Sequence, residues 1–150
     1  MIPDPTLQWR PFPSVLDGIG RPPFALDVGL YEGVLHLIIL EPPPRRRAFG
    51  VTVPCQSYQA VEEMIYSVAY PGHNASYDGT TYLKEAVTSA SIRAFQAGDP
   101  LGRSVRQFLL VGSDFCYETL GFDEPVVREF DDLAAAYDWR PWKDLILRSR

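Results

Sequence analysis

Phe24, Leu26, Val28 and Leu30 alternate with smaller or polar residues, the period of two that marks a half-buried strand. Tyr31-Glu32-Gly33 can turn the chain into residues 34–40, an apolar run interrupted only by His36 and dense enough for a buried strand. Phe49, Val51 and Val53 restore the alternation until Pro54 stops the ladder, because proline has no amide to donate. Residues 41–47 between them form a proline-then-arginine loop, and the three strands make an antiparallel meander. Further on, residues 107–111 read as a strand, Gly112-Ser113-Asp114 as its turn and residues 115–120 as the return. Gly112 is expected to supply the positive φ of that hairpin. Residues 126–130 add a short edge strand.

Helical spacing is clearest from Ser89 onward, where Ile92 and Phe95 share a face and Gly98-Asp99-Pro100 closes the segment. Asp131 or Asp132 is placed to cap a last helix through Tyr137, since a carboxylate accepts from the unmet amides of a first turn. Tyr58, Val61, Ile65 and Val68 favour a helix over residues 57–70, although Tyr58-Gln59-Ala60-Val61 equally extends a sheet. Residues 82–87 leave helix and strand open. Pro-Gly, His-Asn and Asp-Gly make residues 71–79 a loop. Residues 1–23 are a proline-rich extended lead-in that offers Trp9, Phe12, Val15, Leu16 and Ile19 as anchors across the fold. The expected fold is one α+β domain, a mostly antiparallel sheet with two or three packed helices.

Composition narrows the function classes. At 150 residues the chain can bury its own core without a metal or a disulfide framework. A net charge of −5 argues against general nucleic-acid binding, because phosphates require Lys and Arg opposite them. No apolar run approaches the roughly 18 residues that a membrane span needs. No leader pattern opens the chain, and Cys55 and Cys116 are expected to be free thiols, so a cytoplasmic location is expected. Cys55, Cys116, His36 and His73 show no metal-ligand spacing, and no cofactor motif is present. Gly18-Ile19-Gly20 has no strand before it, and reads as a turn.

The charge itself is unevenly placed. Asp114, Glu118, Asp123, Glu124, Glu129, Asp131, Asp132 and Asp138 face only Arg128 in one stretch, a local charge of −7. Phe115, Tyr117, Phe122, Phe130, Tyr137 and Trp139 are interleaved with them. Two readings stand: a surface that meets a basic protein, steered by charge and held by aromatic area, or a solvated face with capping carboxylates. The rival chemistry is nucleophilic: Cys55 with His73 as base and Asp78 to orient it. Asp114 and Glu118, i and i+4 on a strand, share a face and form a candidate acid–base pair. Pro42-Pro43-Pro44 before Arg45-Arg46-Arg47 is either a docking segment for a scaffold or a stiff loop with solvated arginines.

Phe49-Gly-Val-Thr-Val with Tyr58-Gln-Ala-Val-Glu-Glu, then Ser89 with Ile92 and Phe95, then the hairpin from Gln107 to Leu120 and Glu124-Pro-Val-Val, resemble a loosely defined group of small bacterial proteins of unassigned activity. Some of that group act as immunity proteins for secreted toxins. The resemblance covers roughly residues 24–127 and implies a largely sheet middle; it carries no catalytic residue. Taken with the acidic, aromatic stretch, the expected function is a non-enzymatic inhibitor of a basic toxin such as a nuclease. The partner-binding residues expected on that reading are Asp114, Glu118, Asp123, Glu124, Glu129, Asp131 and Asp132.

Overall fold

The computed structural model describes residues 4–69 and 81–140. The described residues form nine strands and three helices, and every strand pairing is antiparallel. The fold is α+β. One sheet runs β2 (Phe24–Tyr31), β3 (Val34–Leu40), β4 (Ala48–Pro54) and β9 (Val126–Phe130), in that order. The other runs β1 (Gln8–Pro11), β6 (Leu83–Thr88), β7 (Arg106–Val111), β8 (Phe115–Gly121) and β5 (Ser57–Glu62).

The meander forms as its alternation predicts. Glu32 and Gly33, with φ of 46° and 82°, make the mirror-image turn whose twist matches the two strands it joins. Leu35, Leu37 and Ile39 of β3 meet Val53, Val51 and Phe49 of β4 on one face and enter the main core. His36 and Ile38 point the other way, and Ile38 packs with Ala136 of α3 (Leu133–Asp138). Strand β3 is therefore buried on both faces, which explains its unbroken apolar run. Phe108 and Leu110 of β7 join that core with Tyr117 and Leu83, and Phe12 of the lead-in meets Phe108 edge-on at 5.2 Å. Leu16 and Ile19 are fully buried, so the lead-in supplies core anchors.

Some expectations need correction, the open choice at residues 82–87 is resolved, and the helix expected after Ser89 is found. The lead-in is not wholly irregular, because Gln8–Pro11 pairs with β6. Residues 57–62 are strand β5, and among the described residues of that stretch only Glu63–Ala69 is helical, as α1. Residues 83–88 are strand. The helix after Ser89 is α2 (Ala90–Gly98), with Ser89 Oγ accepting from Ile92 N at 3.0 Å. Gly112 does not adopt positive φ; a Cβ there would lie 2.6 Å from the Phe115 carbonyl oxygen, so glycine is required by close approach.

Candidate functional site

The stretch from Asp114 to Asp138 is contiguous in sequence but divided by the fold. Asp114 sits in the turn before β8, while Asp123 and Glu124 follow its far end. Seven residues of strand place these groups roughly 20 Å apart. Glu118 lies between them and is not part of an exposed acidic face. Its carboxylate accepts from Gln107 Nε2 and from Tyr66 Oη of α1, and Ser89 Oγ donates to Gln107 Oε1. A chain of hydrogen bonds thus ties α1 and α2 to the sheet through Glu118. Burial pushes this carboxyl above its ordinary range, against the opposing pull of hydrogen bonds from Gln107, Tyr66 and Gln59. Asp114 and Glu118 are not brought together as an acid–base pair.

Three of the remaining carboxylates have internal partners. Glu124 accepts from Arg106, which also grips Glu85 at 2.6 Å. Glu129 lies 3.7 Å from the Arg47 guanidinium. Asp132 caps α3, accepting from Ala135 N at 2.7 Å, so of the two candidate caps it is the one used. Asp123 and Asp131 are exposed.

What the fold does bring together lies between β9 and α3. An open groove of 570 Å³ is lined by Glu129, Asp131 and Asp138 with Arg128, Phe130 and Trp139. Strand β9 is an edge of its sheet, so one side of its backbone is not committed to a ladder among the described residues. Trp139 is seated by Gly50 of β4: a Cβ on Gly50 would fall well inside contact distance of the indole Cε3 and Cζ3. The indole also packs against Phe130 at 5.5 Å and His36 at 5.6 Å between ring centres. Burial, and then the charge of Arg140, pull the His36 pKa down to about 4, so the imidazole is neutral at pH 7. Gly50, Trp139 and Asp138 were not among the expected site residues. A glycine inside an otherwise apolar strand is the signal that pointed to close packing there.

The nucleophilic candidate gains little from the geometry. Cys55 is buried and burial raises its pKa, whereas an activated thiolate needs a lowered one. Burial, reinforced by Glu63, pushes Cys116 up to about 12. The two cysteines are not bonded to each other. His73 and Asp78 lie outside the described residues. Among the described residues no three His, Cys, Asp or Glu side chains gather to hold a metal ion, and no helix is long and apolar enough to cross a membrane. No protein-family model, curated protein or solved structure matches the chain.

Proposed function

We propose that this protein binds and neutralises a basic protein partner, such as a nuclease toxin, through the acidic and aromatic groove between β9 and α3. The observation that carries this reading is the groove itself, where Glu129, Asp131 and Asp138 surround an aromatic floor of Phe130 and Trp139. Carboxylates at a rim raise the encounter rate with a cationic surface, and buried aromatic area slows dissociation. Neither effect needs a nucleophile or a metal. The resemblance to small bacterial proteins of unassigned activity, some of which act as immunity proteins, is compatible with this reading.

The interface proposed is narrower than the acidic stretch. Glu118 serves the interior, and Asp114 stands at the opposite end of β8 from Asp123 and Glu124, so one partner patch centres on Glu129, Asp131 and Asp138. The test is affinity capture from the native host with the wild type and with Asp131→Lys/Asp138→Lys. A basic protein retained by the wild type and lost from the variant is the expected result. Retention of the same proteins by both would overturn the assignment of the groove.

A further inference from the structure

The glycine turn at residues 18–20 and the proline–arginine loop at residues 41–47 are far apart in sequence and unremarkable alone, yet they form the two walls of one cleft. That cleft has a volume of 320 Å³ and is lined by Gly18, Gly20 and Arg21 on one side and by Glu41, the three prolines and Arg45 on the other. Its size falls at the lower end of small-molecule sites, roughly 300–1,000 Å³. Both walls are anchored. Ile19, in the middle of the glycine turn, is fully buried, and Glu41 is buried beneath the loop with both carboxylate oxygens held by Arg47 at 2.9 and 2.8 Å. Arg47 thereby neutralises the one carboxylate in the cleft.

The remaining charge there is positive. Arg10, Arg47, Arg103 and Arg106 make ion pairs; Arg93 donates to Thr6 and Thr88, Arg128 lies over Phe130, and Arg140 donates to a carbonyl. Among the described residues, Arg21, Arg45 and Arg46 are the arginines with no ion pair, no hydrogen bond from the guanidinium and no ring contact, Arg128 having only the last of these. Two of them line the cleft and the third adjoins it. The backbone amides of Gly18, Gly20 and Arg21 likewise meet no protein acceptor. A Cβ on Gly18 or Gly20 would meet nothing within 4 Å, so the turn is open to whatever enters.

We propose that this cleft is a binding site for the multiply charged oxyanion group, phosphate or carboxylate, of a small molecule. Guanidinium forks and free backbone amides are two protein features well matched to such groups. The cleft shares no lining residue with the β9–α3 groove, although Arg47 spans the two, pairing with Glu41 of the one and lying 3.7 Å from Glu129 of the other. Calorimetric titration of the full chain at low ionic strength with pyrophosphate, and separately with citrate, tests it. At least one probe should bind saturably at one equivalent, and Arg21→Ala/Arg45→Ala should weaken that binding about tenfold or more. Arg103→Ala, which alters an ion pair elsewhere, should bind like the wild type. Binding of pyrophosphate alone would assign a phosphorylated ligand, and of citrate alone a polycarboxylate. Amide shifts at Gly18, Gly20 and Arg21 in the wild type give a second readout that needs no variant. Failure of both probes to saturate, equal binding by the double variant, or shifts confined to other residues would each overturn the proposal.

Discussion

Gly50→Ala is the most informative single substitution for the seat of the groove. The added methyl would overlap Cε3 and Cζ3 of Trp139 and lie 3.2 Å from Phe130 Cε2. Carbon atoms rest at about 3.5–4.0 Å, so the indole must withdraw by more than about 1 Å or β4 must bow. Overpacking of this kind typically costs about 1–3 kcal/mol. In a domain of this size each kcal/mol lowers Tm by about 2–4 °C. Urea unfolding and thermal melts of the wild type, Gly50→Ala, Trp139→Phe and the double variant close a thermodynamic cycle. Phenylalanine lacks the fused ring that collides, so the double variant should recover most of the loss from Gly50→Ala, a coupling of at least about 1 kcal/mol. Additive effects, or an alanine variant as stable as the wild type, would refute the claim that Gly50 exists to seat Trp139.

Other outcomes follow from the same geometry. Phe108→Ala should lose about 3–5 kcal/mol in denaturant unfolding, because the ring is 2 % exposed and meets Phe12 edge-on. Native protein should react slowly with thiol reagents, while the unfolded, unreduced chain titrates as two thiols; a fast native equivalent would revive the nucleophile reading. Glu118 should make the fold less stable as pH rises above 4.5, because the native state keeps a proton that the unfolded chain has already lost. Glu118→Gln should flatten that part of the stability–pH curve, and an unchanged curve would remove the burial argument.

The meander was legible because its apolar period, its turn residues and its both-face burial at β3 agree. Helix α2 was legible for a similar reason: Ser89 is a local cap and needs nothing distant to act. Strands β1 and β5 were not legible. Pro11 and the flanking prolines hide the pairing of β1 with β6, and β5 is an edge whose exposed Tyr58, Gln59 and Ala60 carry no alternating pattern. Edge strands are recruited by the ladder of a neighbour distant in sequence, which no local window contains. The acidic stretch failed for the converse reason. Its charge was obvious, but β8 carries Asp114 and Asp123 to opposite ends, and the hydrogen bonds to Glu118 come from elements 11 and 52 residues away. Trp139 over Gly50 joins positions that only the packing of α3 on β4 brings together.

The central claim is that the β9–α3 groove meets a cationic partner. Its most direct test is the association rate with the captured basic protein at low and high salt, for the wild type, Asp131→Lys/Asp138→Lys and Asp114→Lys. Screening shortens the reach of surface charge to about 10 Å at 0.1 M ionic strength, so steering must fade as salt rises. The wild type should associate fastest at low salt, the groove variant should lose most of that acceleration, and Asp114→Lys, in the turn before β8 and outside the groove lining, should keep most of it. Equal rates for all three proteins, with no dependence on salt in the wild type, would contradict the account and leave the carboxylates as a solvated face.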